Sequence, residues 1–249
     1  MKTARVHTSQ GSSHKKGRLI REAYDQIKHL ISINQFVPGQ KLIYGNIAEK
    51  LNMGVTPVIQ ALNRLEASGF VRYEANKGYF VGEISEKEVR QLYQAREALE
   101  LVIIPDVIEN INKKALSEIE QRFKRSHNTR LSRRELILED TQFHLELIRY
   151  AHNDVIYNIL ENIFEQVYLK YRPEYLDDER IKVIKNEHKD LLSALRSKDG
   201  DRATALIKKH VRDGMDYVVK TIEVEKDWFS EKKLMWRKYE RRNTDTGSV

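Results

Sequence analysis

The sequence lacks cysteine, contains only 4 prolines and 11 glycines among 249 residues, and has no long apolar run. Without cysteine there is no disulfide framework, no thiolate metal site and no cysteine nucleophile, so metal ligands must be histidine, carboxylate or water. The low proline and glycine content excludes a collagen-like or turn-rich repetitive protein. No segment approaches the roughly 18 apolar residues of a membrane span, and residues 1–17 lack the apolar core of a signal peptide. We therefore expect a cytoplasmic protein that does not engage a membrane.

Charge is distributed unevenly along the chain. Residues 1–84 contain 12 Lys and Arg against 6 Asp and Glu, whereas residues 85–249 contain 32 against 31. The first third is therefore basic and the remainder nearly neutral. A basic module is typical of proteins that bind an anionic polymer such as double-stranded DNA, although a solvated basic surface is the more common cause of such charge.

Composition and hydrophobic pattern divide the chain into four segments. Residues 1–17 are polar and are predicted to be a mobile arm. Residues 18–84 are predicted to form a small domain, and residues 85–224 a larger helical one. Residues 225–249 form a C-terminal extension with aromatic residues among Lys and Arg, which we expect to be a docking helix or an amphipathic appendage.

Residues 18–84 begin with three predicted helices. Apolar residues at helical spacing start at Leu19, and Pro38-Gly39 stops the first helix. A short helix follows and ends before Gly54. Thr56 can cap a third helix, because its hydroxyl can accept a backbone N–H while Pro57 needs no donor at the first helical position.

Two predicted strands, 70–74 and 79–82, follow the third helix and are joined by a turn that contains Asn76 and Gly78. This order is that of a winged helix-turn-helix, in which the third helix enters the DNA major groove and the hairpin reaches the backbone or minor groove. A small interaction module that binds no nucleic acid is the alternative. The residues predicted to contact DNA face outward on the third helix or lie at the hairpin tip: Thr56, Ile59, Gln60, Asn63, Arg64, Lys77 and Gly78.

The remainder of the chain is predicted to be helical. Ser85 and Glu88 have the spacing of a capping box at the start of a long helix, and Pro105 is expected to kink it. The inward face of this helix is predicted to contain Leu92, Ala95, Leu99, Val102, Ile103 and Val107. Further helices are predicted at about 115–127, 131–151, 154–171, 178–197 and 201–224, with a separate segment at about 226–242. Six antiparallel amphipathic helices form a bundle, and bundles bind ligands between facing helices.

Four polar residues lie on apolar stripes of these helices. Asp140 and His144 are four residues apart and share a helix face, while His188 and His210 each align with apolar neighbours on later helices. One carboxylate and three imidazoles that converge in a bundle suit Zn²⁺ or another divalent ion such as Ni²⁺ or Mn²⁺. A buried histidine is more often an ordinary core residue than a ligand, so core packing is the alternative.

Several segments of the first domain follow a known pattern: Pro38-Gly39-Gln40-Lys41-Leu42, Ile47-Ala48-Glu49-Lys50-Leu51, Thr56-Pro57-Val58 and Gly78-Tyr79-Phe80-Val81. They resemble the N-terminal domain of GntR-family bacterial transcription regulators, which implies binding to an operator. This sequence has Val55 and Ile59 where members of the family commonly carry arginines that contact bases or phosphates. The usual half-site of the family is therefore not implied. Gln60 and Asn63 could instead contact adenine, Arg64 guanine or phosphate, and Ile59 a thymine methyl.

The second domain resembles the FCD ligand-binding domain of the FadR-type branch of that family. Asp140-x3-His144 followed by two later histidines resembles the metal site of that domain, and the segment 92–100 resembles its opening helix. The resemblance implies that a small organic acid binds, often through a carboxylate oxygen on the metal. Arg96 could pair with such a carboxylate, or it could form a salt bridge inside the bundle.

These observations predict a bacterial DNA-binding transcription regulator, not an enzyme, whose metal-containing domain senses a small carboxylate effector. We expect a homodimer, because one module neutralises few phosphates and a two-fold dimer reads a palindromic operator. The alternatives are a helical-bundle metalloenzyme with a basic accessory domain, and a helical interaction protein whose histidines are core residues. No His-Glu-x-x-His motif or glycine-rich phosphate loop supports an enzyme.

Overall fold

The computed structural model describes the backbone of residues 10–128, 131–171 and 176–244, and the side chains of residues 17–125, 131–171 and 176–223. Within these ranges the chain is mainly helical with one small antiparallel sheet, as the sequence predicts. The elements are α1 (Gln10–Ser32), β1 (Lys41–Leu42), α2 (Tyr44–Lys50), α3 (Val55–Ala67), β2 (Val71–Glu74), β3 (Gly78–Val81), α4 (Glu86–Asn110), α5 (Lys113–Asn128), α6 (Arg133–Ile148), a 3-10 turn (Arg149–Ala151), α7 (Asp154–Lys170), α8 (Asp178–Ser197) and α9 (Gly200–Thr244).

The first of two compact units extends to Glu83 and also includes α7 from Phe164 onward. Its three N-terminal helices pack with a sheet in the order β1-β3-β2, in which both pairings are antiparallel. The core is apolar and close to fully buried, and α7 contributes Leu169 to it. Its largest contributors are Ile27, Ile31, Leu62, Leu65 and Phe70.

Helix α3 begins earlier than predicted, and a glycine turn at its end leads into the hairpin. Helix α3 begins at Val55 with Gly54 as its N-cap, and no side chain caps it. The expectation that Thr56 caps this helix is therefore wrong, because the helix starts before that residue. Gly69 follows the helix with a φ of +79°, a conformation that side chains with a Cβ rarely adopt, and the chain then turns into β2.

The second unit contains α4, α5, α6, α8, α9 and the first part of α7. Ser85 caps α4 by accepting the Glu88 N–H at 3.2 Å, and α4 continues through Pro105. The predicted inward face of α4 is partly wrong: Ala95 is exposed, and Val102 is 63% exposed. The buried face of α4 contains Val89, Tyr93, Arg96, Glu100, Ile103, Ile104 and Val107.

Two helices extend beyond their predicted ends. Helix α1 begins at Gln10, within the segment assigned to a mobile arm, and residues 1–9 of that arm lie outside the described residues. Helix α9 continues to Thr244 where two segments were predicted, because residues 215–244 contain no glycine or proline to stop it. None of the helices in the described ranges is long and apolar enough to cross a membrane.

Candidate functional site

Four side chains from three helices of the second unit converge. They are Asp140 and His144 on α6, His188 on α8 and His210 on α9, and one potential ligand atom of each lies within 4.8 Å of the others. The three imidazoles are buried, with exposed fractions of 1%, 2% and 5%. The structure therefore brings together all four residues that the sequence singles out as metal ligands.

Two carboxylates determine how two of the imidazoles are oriented. Glu100 Oε2 lies 3.1 Å from His144 Nδ1, and Glu187 Oε2 lies 2.8 Å from His210 Nδ1. An ionised carboxylate only accepts hydrogen bonds, so each Nδ1 carries a hydrogen, and an imidazole that is neutral in this position presents a lone pair at Nε2. The two Nε2 atoms face each other at 3.0 Å. When both imidazoles are neutral, the two lone pairs face each other, and a shared cation would remove the repulsion between them.

The electrostatics favour ionised carboxylates at Glu100 and Glu187 and a neutral His144. Burial opposes ionisation of Glu100, but the charge of Arg96 and the contact with His144 outweigh it and hold the pKa of the Glu100 carboxyl well below its usual range. Burial also opposes ionisation of Glu187, but the hydrogen bond from His210 lowers its pKa overall. Burial lowers the pKa of His144 despite the neighbouring Glu100. The carboxylates are therefore ionised and His144 is neutral at neutral pH, which is the form that binds metals.

Asp140 contributes to the cluster an oxygen that lacks a hydrogen-bond partner in the described part of the chain. Asp140 Oδ1 is buried and has no hydrogen-bond partner among the described residues, and it lies 3.4 Å from His188 Nε2. Two ligands about 2.1 Å from one ion are separated by about 3.0–3.4 Å at tetrahedral or octahedral angles. The donor set and its spacing therefore fit a divalent ion with nitrogen and oxygen ligands.

Arg96 lies beside the cluster and is 5% exposed. Its Nε forms a buried ion pair with Glu100, and its Nη2 lies 3.1 Å from His144 Nε2. The internal salt bridge considered for Arg96 is thus present, and the same guanidinium also reaches the metal-ligand candidates. Burial lowers the pKa of Arg96, but the charge of Glu100 outweighs that effect and keeps it protonated.

The residues predicted to contact DNA lie in the first unit. On α3, Thr56, Asn63 and Arg64 are exposed, while Ile59 and Gln60 are partly buried. At the hairpin tip, Lys77 is exposed and forms a 2.9 Å ion pair with Glu74, and Gly78 has a φ of +94°. The tyrosine hydroxyl of Tyr79 donates a hydrogen bond to Asn63 Oδ1.

Sequence reasoning missed the two carboxylates that orient the histidines. Glu100 lies four residues after Arg96, and Glu187 directly precedes His188. The spacing of Arg96 and Glu100 was a usable signal, because residues four apart on a helix share a face. For Glu187 no signal was available, because its partner His210 is supplied by another helix.

Comparison with known proteins adds independent information. Residues 19–81 match the protein family described as "Bacterial regulatory proteins, gntR family", and residues 91–213 match the family described as "FCD domain". The HTH-type transcriptional regulator YdhC of Bacillus subtilis is 23% identical over 208 residues, which cover 82% of this chain and 92% of YdhC. The HTH-type transcriptional regulator McbR of Escherichia coli is 26% identical over 70% of this chain and 81% of McbR.

Solved structures give the same fold. E. coli McbR/YncC has a TM-score of 0.69 and 22% identity, and covers 82% of this chain and 98% of its own. A GntR transcriptional regulator from Rhodococcus sp. RHA1 has the same TM-score with 18% identity. These relatives are regulators, and nothing among them supports the metalloenzyme alternative. The chain belongs to the GntR family of bacterial regulatory proteins and is a DNA-binding transcription regulator with an FCD effector-binding domain.

Proposed function

We propose that this regulator senses a small organic acid at a divalent metal ion held by Asp140, His144, His188 and His210, and that occupancy of this site changes its affinity for an operator in the cytoplasm. The observation that carries the proposal is the pair of Nε2 atoms 3.0 Å apart on two buried imidazoles, each of which has a carboxylate at its Nδ1. Metal-binding histidines commonly have such carboxylate partners at the nitrogen that does not face the ion. The proposed domain limits are residues 18–84 for DNA binding and 85–224 for effector binding.

The donor set favours Zn²⁺, with Ni²⁺ and Mn²⁺ as the other candidates, because imidazole and carboxylate ligands without thiolate suit all three. When bound, such an ion supplies a Lewis-acid position for a carboxylate oxygen of the effector. Arg96 supports the choice of an acid, since its guanidinium has five N–H donors in a planar fork that matches a carboxylate. Its Glu100 partner keeps it beside His144.

The experiment is a titration of metal-loaded protein with simple carboxylates, read out as affinity for a DNA duplex selected from a random library. We expect at least one acid to change operator affinity by about 5- to 150-fold, the range of ordinary allosteric coupling. The same acid should have no effect after chelation and dialysis. An equal response in chelated protein would contradict a sensor that works through the metal.

Glu187 provides a test of the metal centre that leaves all four ligands in place. Glu187→Gln removes the charge that fixes His210 through Nδ1, so metal affinity should fall by about tenfold, as is usual for partners of metal-binding histidines. The measurement is competition with a chromophoric chelator. Glu179→Gln is the matched control on the same helix, because Glu179 is exposed and pairs with Lys182. Equal metal affinity in Glu187→Gln and the unmodified protein would argue against the proposed centre.

We also propose that the chain acts as a homodimer through the outward face of α4. This face is an apolar stripe that consists of Ala95, Ala98, Val102 and Pro105, all of them exposed. Exposed apolar stripes mark interaction surfaces, and a second copy is the occupant that a reader of palindromic DNA needs.

Val102→Glu should convert the dimer to monomers. Operator binding should weaken by about tenfold or more, because the second DNA-binding domain is then no longer held close to its half-site by the first. Sedimentation and a DNA titration measure the two effects. Val183→Glu is the control, since Val183 is also an exposed valine of the second unit but lies on α8. A Val102→Glu protein that stays dimeric would exclude this face as the interface.

A further inference from the structure

A hydrogen bond joins the hairpin to α3, the helix predicted to face DNA. The hydroxyl of Tyr79 on β3 donates to Oδ1 of Asn63 on α3. Tyr79 is buried, with 8% of its surface exposed, whereas Asn63 is exposed. A buried phenol therefore holds one end of an amide whose other end faces solvent.

The position of Tyr79 is itself tightly determined. β3 is the central strand, and Tyr79 pairs with Leu42 on β1 and with Tyr73 on β2. The rings of Tyr73 and Tyr79 are in tilted contact with centroids 5.0 Å apart. Strands on both sides and a neighbouring ring therefore limit the directions in which the hydroxyl can point.

Fixing Oδ1 also fixes the opposite end of the Asn63 amide. An asparagine amide has one acceptor oxygen and one NH₂ group with two donors, and a free amide can exchange them by rotation. In the orientation that the structure shows, Oδ1 accepts from Tyr79 and Nδ2 is the end that remains available to a partner in the groove; rotation of the amide would exchange this bond for one in which the hydroxyl accepts from Nδ2.

We infer that Tyr79 is a specificity-determining positioning residue, which sets Asn63 to present N–H donors to one base of each half-site. Adenine, guanine and thymine offer acceptors in the major groove, whereas cytosine offers its N4 amino donor there. Asn63 held in this way discriminates against cytosine on the strand it faces. The inference rests on the proposed operator binding and on the prediction that Asn63 contacts DNA, and the experiment separates the two.

The experiment is selection of bound duplexes from a random library with the full-length protein and its Tyr79→Phe, Asn63→Ala and doubly substituted variants. Tyr79→Phe keeps the ring and removes only the hydroxyl. We expect it to lose about tenfold of the discrimination against cytosine at one position per half-site and to keep the preferences at the other positions. Asn63→Ala should lose the same preference, and the double variant should lose no more.

Tyr73→Phe is the matched control, because Tyr73 lies on the adjacent strand and is half exposed. It should keep the full pattern of base preferences. A Tyr79→Phe pattern identical to that of the unmodified protein, together with a changed Asn63→Ala pattern, would overturn the positioning role of Tyr79. An unchanged Asn63→Ala pattern would overturn both the inference and the assignment of Asn63 to the DNA surface. If Tyr79→Phe binds all sequences more weakly but keeps the base preferences, the hydrogen bond has only a structural role. That outcome would also overturn the inference.

Discussion

Replacing His188 by alanine should abolish stoichiometric metal binding. Loss of a partner that only orients a histidine costs about 10- to 100-fold in metal affinity, and we expect loss of a ligand to cost at least the upper end of that range. His188 is 2% exposed and stacks on Phe143 with ring centroids 4.1 Å apart, so the substitution also removes packing. Metal content and stability must therefore be measured separately.

The separating measurement is the difference in melting temperature between metal-loaded and chelated protein for each variant. An ion present at 100 times its Kd stabilises the folded state by about 2.7 kcal/mol, which corresponds to about 5–10 °C for a chain of this size. This increment should be present in the unmodified protein and in the control His29→Ala, whose histidine is exposed in the first unit. It should vanish in His188→Ala. An undiminished increment and one bound ion per chain would remove His188 from the site.

Operator affinity should fall by about a thousandfold or more between 50 and 200 mM salt, because a dimer with several phosphate contacts per copy releases as many counterions. The physical basis is the surplus of six positive charges in residues 1–84. The measurement is fluorescence anisotropy of a labelled selected duplex over a series of salt concentrations. An affinity that is flat over this range would contradict phosphate contact by this domain.

Substitution of Lys77 tests whether the hairpin tip contributes to the salt dependence of operator binding. Lys77→Ala at the hairpin tip should lower the slope of log affinity against log salt by about 2 for a dimer, one for each lost phosphate contact. The control is Lys182→Ala, an exposed lysine of the second unit paired with Glu179. Equal slopes for Lys77→Ala and the unmodified protein would show that the hairpin tip does not touch the phosphates.

The fold could be predicted from the sequence wherever local chemistry was decisive. Pro38-Gly39, Gly69 and the turn around Asn76 and Gly78 mark chain reversals, and apolar spacing marks the helices between them. The four proposed ligands could be found for the same reason. Each is a polar residue on an otherwise apolar stripe, and four such residues on three helices favour a shared partner.

The orientation of α4 could not be predicted because this helix has two apolar stripes. One contains Ala95, Leu99 and Val102, and the other contains Tyr93, Ile103 and Val107 interrupted by Arg96 and Glu100. The predicted inward face combined residues of both stripes and left out Arg96 and Glu100. The structure buries the charged stripe, because Arg96 and Glu100 compensate each other and reach His144. The exposed residues Ala95, Ala98, Val102 and Pro105 form the face that we propose for dimerisation.

The start of α1 and the end of α9 were not predicted. The spacing of apolar residues indicates which helix face is buried, and it gives no signal where a helix has no buried face. Residues 10–17 have no apolar stripe, yet their backbone continues α1. The aromatic residues predicted to define a separate segment at 226–242 lie on the continuing α9, where their side chains are outside the described residues.

The most direct test of the metal-dependent sensor is a crystal structure of the metal-loaded protein with anomalous data at the absorption edges of zinc, nickel and manganese. We predict one anomalous peak per chain, about 2.0–2.2 Å from an imidazole nitrogen of His144, His188 and His210 and from an oxygen of Asp140. The edge at which the peak appears identifies the ion. Well-ordered imidazoles with no anomalous peak among them, from protein grown and crystallised with all three metals, would contradict the sensor.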